Sequence, residues 1–346
     1  MYLNNDLTES DYHYIRDMKD IGFEEVFTSL HIPEYDTSLY KGRLSTLGDI
    51  CKNTDLRLTV DISPSALEAI SLTLENAEEI QEMGITGIRF DYGFTMEEIA
   101  TLSKKMFVAL NASTIIADDV EVLKQYDANF EKIEAWHNYY PRNETGLSKQ
   151  FLEEKNSALK KWGFTTMAFV PGDKQLRGPV FSGLPTLEKH RGRHSLSSAI
   201  ELLNDTSTDK VFIGDPRIGK ETMNQYKAFL KGKYFLLYGT LFDHAPNYIT
   251  NSFHNRFDVA RDVIRFEEAR SLVTGTILPQ NTVDREKGSV TIDNLNYGRY
   301  MGEIQITRRD LPSDLRVNVI GAIRKEDIDL LPLVDAGQKL LIKEMH

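Results

Sequence analysis

Short apolar runs alternate with amphipathic stretches through the first two thirds of the chain. The runs are Glu25 to Leu30, Leu56 to Ile62, Ile85 to Asp91, Met106 to Asn111, Ile133 to His137, Thr166 to Val170 and Val211 to Gly214. They are apolar almost throughout, as strands covered on both faces should be. Between them, Thr8 to Ile21, Ser65 to Met83, Thr95 to Lys105, Asp118 to Tyr126 and Ser148 to Trp162 carry helical spacing. Gly22, Gly84, Asn129 and Gly163 stand where those helices should stop. Tyr2-Leu3 reads as the stub of an eighth strand. Eight βα units over some 230 residues predict a (β/α)8 barrel. A doubly wound sheet would carry a glycine-rich phosphate loop after its first strand, and neither GxGxxG nor GxxxxGK[ST] occurs.

From about Tyr234 the rhythm changes. Tyr234 to Leu241, Ser289 to Ile292, Tyr300 to Thr307 and Val317 to Ile323 are strand-like, with one helix expected over Phe257 to Ser271. The fold class is therefore α/β, with a TIM barrel over residues 1–232 and a smaller, mainly β domain over residues 233–346.

Composition narrows the partners. Of 346 residues, 41 are Lys or Arg and 52 Asp or Glu, a formal net charge of −11, which argues against a nucleic-acid backbone as ligand. Cys51 is the one cysteine, so an internal disulfide framework and cysteine-based zinc clusters are excluded. Met1 to Asp6 has neither a basic start nor an apolar core, and no apolar stretch approaches a membrane span. A cytoplasmic protein without membrane contact is expected.

In a barrel, chemistry collects at the C-terminal ends of the strands. Polar residues gather there: Ser29, His31 and Glu34, then Asp61, then Arg89 and Asp91, then Asn111. His137, Asn138, Tyr139, Tyr140 and Arg142 form the next group. A loop of roughly 20 residues follows Val170 and carries Arg177, Glu188, His190 and Arg191, and Asp215 ends the last run. Each one also has a plain structural use, as a helix cap or a local ion pair. No HxH or HxxxH pair sits at a strand end, no strand-end lysine suggests a Schiff base, and GxSxG is absent. Carboxylates, aromatics, amides and arginines suit a small anionic molecule, possible substrates including a sugar.

The segments Phe27 to Glu34, Arg89 to Gly93, His137 to Arg142 with Thr145-Gly146-Leu147, Pro171-Gly172-Asp173, Arg177-Gly178-Pro179, Gly183 to Arg191 and Asp293 to Glu303 resemble the bacterial 6-phospho-N-acetylmuramidases along essentially the whole chain. The resemblance implies a TIM barrel followed by a cyclophilin-like β domain. It implies an exo-acting cytoplasmic glycosidase that splits N-acetylmuramic acid 6-phosphate–N-acetylglucosamine during peptidoglycan recycling. No cofactor or metal is implied. The family's first strand usually begins before the equivalent of Tyr2-Leu3, so this chain is expected to start inside it.

Asp91 and Glu188 are the expected catalytic carboxyls, with Asp61 and Asp215 in reserve. Arg142, Arg177, His190 and Arg191 are expected to hold the phosphate and lactyl carboxylate, helped by Arg89, Asn111, His137, Asn138 and Tyr140. Arg299 of the β domain is expected either to reach the substrate or to form an interdomain ion pair. Two other classes stay open: a phosphosugar lyase or isomerase using His137 or His190 as proton shuttle, and a non-catalytic phosphosugar-binding protein. Prolyl isomerase activity is not expected, because fold does not carry function.

Overall fold

The computed structural model describes residues 3, 5–30, 40–64, 67, 73–90 and 93–345. They form two compact units, Met1–Gly219 and Lys220–His346.

The first unit is a seven-stranded parallel sheet curved into a TIM-like half-barrel. Its strands are β1 (Glu25–Ser29), β2 (Arg57–Ile62), β3 (Gly87–Phe90), β4 (Phe107–Asn111), β5 (Ile133–Trp136), β6 (Thr165–Val170) and β7 (Lys210–Ile213). Each pairs with the next in parallel register. Of the expected eighth strand, Tyr2 lies outside the described residues and Leu3 is buried.

The helices between the strands follow their local chemistry. Thr95 and Glu98 cap Met96–Ser103 reciprocally: the Thr95 hydroxyl accepts from the Glu98 backbone N–H, and the Glu98 carboxylate accepts from that of Thr95. Gly22 ends Glu9–Ile21 with φ at 125°, its N–H reaching the carbonyls of Met18 and Lys19. The outward sides of the strands pack on these helices through Leu58, Val60, Ile88, Val108, Leu110 and Ala135. Each of the fully buried Val, Leu and Ile side chains among them contributes about 1.5–3 kcal/mol. Cys51 belongs to this core; burial pushes its thiol up to about 12, consistent with a packing role.

The second unit opens with the helix Lys220–Leu230. A mainly β near-barrel sheet follows: β8 (Tyr234–Leu241), β9 (Ser252–His254), β10 (Val263–Arg265), β11 (Ser289–Asp293), β12 (Ile304–Thr307), β13 (Val317–Ile323) and β14 (Lys339–Glu344). Their order is β10-β12-β11-β13-β8-β14-β9, with only the β8–β14 pair parallel.

The helix expected over Phe257 to Ser271 does not form. Val263, Ile264 and Arg265 instead pair with Thr307, Ile306 and Gln305 as an edge strand, and only the short 3-10 turn Ala269–Leu272 follows. Tertiary pairing overrode local periodicity there. Among the described residues no helix is long and apolar enough to cross a membrane.

Candidate functional site

Strand parity sorts the barrel interior into layers, because alternate residues face inward. At the N-terminal ends, Glu25, Arg57, Glu134 and Lys210 form an ionic floor. The Arg57 Nη2 lies 2.6 Å from Glu25 Oε2, and Lys210 donates to Glu134. The Thr59 hydroxyl donates to the other Glu25 oxygen, and the Trp136 indole N–H donates to Glu134 Oε2 at 2.8 Å. Burial raises the Glu25 pKa against the pull of Arg57. Above the floor Phe27, Ala109, Trp136, Met167, Phe169 and Phe212 fill the middle.

The top layer is polar. Register sets Ser29, Asp61 and Arg89 side by side on β1, β2 and β3. The Ser29 hydroxyl donates to Asp61 Oδ2 at 2.9 Å, and Arg89 Nη1 donates to Asp61 Oδ1 at 2.7 Å. Arg89 Nη2 continues to the Asn138 amide oxygen. Arg89 is only 5% exposed and Asp61 8%. Burying such a charge pair is costly unless its geometry is good, and this row meets that condition. Beside it, Tyr139 packs edge-on against Phe169, ring centroids 5.1 Å apart, and its hydroxyl accepts from Arg177 Nη1 at 2.7 Å. Asn111 and Tyr140 are half-buried at the same rim, and burial raises the Tyr140 hydroxyl pKa.

Several expected ligands serve the loops instead. Both Glu188 oxygens are taken: Oε1 accepts from Arg191 Nε and the Glu144 N–H, and Oε2 from Arg191 Nη2 and the Gly146 N–H. The Arg191 pairing and these backbone bonds hold its carboxyl down to about 2. A side chain at Gly146 would collide with this clasp, since a Cβ there would lie 2.7 Å from Glu188 Oε2. Arg191 spends its remaining N–H groups on the carbonyls of Tyr140, Arg142, Ser182 and Gly183. Asp215 is a third anchor. It accepts from the N–H groups of Gly172, Arg177 and Leu184 at 2.9–3.0 Å, while burial raises its pKa.

Both histidines face away from the interior. Trp136 points inward, so His137 points outward, where its Nε2 pairs with Asn156 Oδ1 at 2.8 Å on the helix Lys149–Lys161. It is fully buried, and desolvation lowers its pKa to about 4, leaving it neutral at pH 7. His190, equally buried, lies 3.2 Å from Glu201 on the helix Ser195–Asp205. Both side chains, expected as ligands, are thus paired with helix residues. Asn156 and Glu201 went unread in the sequence because each looks like an ordinary helix residue.

Arg142 is exposed, and the Thr145 hydroxyl donates to its carbonyl at 2.6 Å. Arg299, in the second unit, lies on Tyr300 with its guanidinium 4.9 Å from the ring and donates to the Tyr300 hydroxyl. Asp91, His31 and Glu34 lie outside the described residues. Among the described residues no group of three or more His, Cys, Asp or Glu is placed to hold a metal ion.

Residues 1–228 match the family described as 6-phospho-N-acetylmuramidase, N-terminal, and residues 240–343 match 6-phospho-N-acetylmuramidase, C-terminal. No curated protein matches the chain. Among solved structures it is similar to a conserved protein of unknown function from a locus in Enterococcus faecalis, at 44% identity and a TM-score of 0.91, over 99% of this chain and 95% of that one. It is also similar to an uncharacterized B. cereus protein, at 26% identity and a TM-score of 0.72, over 99% and 98% of the two chains. With matches running through both units, the chain belongs to the 6-phospho-N-acetylmuramidase family.

Proposed function

We propose that this protein is an exo-acting glycosidase that hydrolyses N-acetylmuramic acid 6-phosphate–N-acetylglucosamine in the cytoplasm, within cell-wall recycling. The observation that carries the reading is the row Ser29–Asp61–Arg89–Asn138, its first three members buried and Asn138 half-buried, at the C-terminal ends of the strands in a chain of this family. A plain scaffold would fill that layer with aliphatic side chains. A hydroxyl, a carboxylate, a guanidinium and an amide held rigidly side by side match the donors and acceptors of an amino sugar. Tyr139 adds an aromatic surface beside them.

Glycoside hydrolysis uses carboxyl groups flanking the bond to be cut. Glu188 does not suit the acid: with its carboxyl near 2 and both oxygens accepting, it has no proton to give near neutrality. The proposal therefore rests on Asp91, two residues past Arg89 in the sequence, as acid, with Asp61 orienting the sugar through Arg89. The lyase or isomerase alternative loses its proton shuttles, since His137 and His190 both pair with helix residues outside the sheet.

The test is a product assay by mass spectrometry on the phosphorylated disaccharide and, in parallel, its unphosphorylated counterpart. Release of N-acetylglucosamine from the phosphorylated disaccharide alone is expected. Equal cleavage of both would remove the phosphate requirement, an unsaturated sugar would indicate a lyase, and cleavage of neither would defeat the proposal.

A further inference from the structure

The loop between β6 and the helix Ser195–Asp205 carries a feature that the reaction as described does not use. Asp215 fixes the loop through Arg177 and Leu184, and Arg191 fixes it through Ser182 and Gly183. Between those anchors Phe181 is 63% exposed. Its backbone sits at φ 54°, a left-handed conformation that bulky residues rarely adopt, with its N–H on the Arg177 carbonyl at 3.1 Å. The Cζ end of the ring lies against Gly178, where an added Cβ would come within 2.8 Å of it. The end of the ring is thus held beside Gly178, while the residue as a whole stays largely exposed. A ring left in water on a clamped loop gains nothing for folding. Arg177, one turn earlier, reaches Tyr139 at the rim of the barrel.

We propose that Phe181 is the stacking platform for the neutral N-acetylglucosamine ring of the substrate and sets selectivity for that sugar. Phe181 and its exposed neighbour Val180 offer apolar surface without charge, which matches the face of an uncharged pyranose and not a phosphate or carboxylate. Because the loop is anchored at both ends, little ordering cost is left for binding.

This inference rests on the glycosidase reading, and its test separates the two. Phe181→Ala is expected to raise KM for the phosphorylated disaccharide about tenfold with kcat little changed, as loss of one aromatic contact would. The inhibition constant of free N-acetylglucosamine should rise by the same factor, that of N-acetylmuramic acid 6-phosphate should hold, and Phe181→Tyr should restore both constants. Unchanged KM in Phe181→Ala, or a parallel rise for both sugars, overturns the platform; the latter would make Phe181 a loop support. If the wild type cleaves nothing, the glycosidase reading falls. Calorimetric titration with N-acetylglucosamine then decides the platform alone, weaker binding by Phe181→Ala supporting it and equal binding overturning it.

Discussion

Arg191 and Glu188 face each other in a two-pronged ion pair, Nε to Oε1 at 2.6 Å and Nη2 to Oε2 at 2.7 Å, that ties the segment around Tyr140 to Gly146 onto the one around Ser182 to Glu188. Glu188→Gln keeps the shape but removes the charge. It is expected to cost about 1–3 kcal/mol in urea unfolding. The activity loss should be modest, and the acidic limb of the pH–rate profile should stay in place. A thousandfold fall in kcat with unchanged stability would return Glu188 to the chemistry.

Arg89 and Asp61 form a different kind of pair, buried within the layer that holds the proposed site. Arg89→Met leaves the Asp61 carboxylate buried without its guanidinium and should cost roughly 3–5 kcal/mol. Adding Asp61→Leu should recover most of that stability and none of the activity. A double variant no more stable than the single one would show that the row does not act as a coupled unit.

Acid sensitivity should trace to His137. Its pKa is about 4 in the folded chain against an ordinary 6.5, so between those values the unfolded chain binds more protons. The contribution is complete above about pH 6.5 and shrinks by about 3 kcal/mol as the pH falls toward 4. His137→Gln keeps a donor toward Asn156 and cannot titrate. Its stability, followed by thermal unfolding from pH 7 to 4, should fall less steeply than that of the wild type. Parallel curves would assign the acid sensitivity elsewhere.

Arg142 offers its exposed guanidinium in the segment that Arg191 anchors. Arg142→Ala should raise KM for the phosphorylated disaccharide about tenfold, the value of one charge-assisted contact. Binding of the unphosphorylated disaccharide as a competitor should not change. Equal weakening toward both would remove Arg142 from the phosphate.

Much of the barrel is legible in the sequence, because each strand announces itself as a buried run and several helices carry a stop signal, as at Gly22 and Gly163. In the second unit the bounds of β8 and β13 coincide with the predicted ones. The site was harder to read. A parallel strand that is apolar on both faces hides its parity, and parity decides function at Trp136 and His137: one fills the interior, the other faces a helix. Knowing that Trp136 points inward would have moved His137 out of the ligand set. Loop residues gave still less. Glu188 and Arg191 look like substrate ligands from spacing alone, and only their mutual pairing and the backbone N–H groups around them show a clasp. The edge strand Val263–Arg265 was illegible for the opposite reason: its helical spacing is genuine, and pairing with β12 overruled it.

The ionic floor at the other end of the barrel also says how the strands find their alignment. Glu25 stands directly across from Arg57. Sliding β1 by two residues, the smallest slip that keeps its inward face inward, would set Arg57 against Phe23 or Phe27 instead. Glu25 would lose Arg57 as its cross-strand neighbour in the same movement, and the charges shared with Glu134 and Lys210 would be thrown out of balance. An aliphatic floor would tolerate such a slip with little penalty. This one acts like a keyed joint, setting a charge penalty on that slip of β1 against β2.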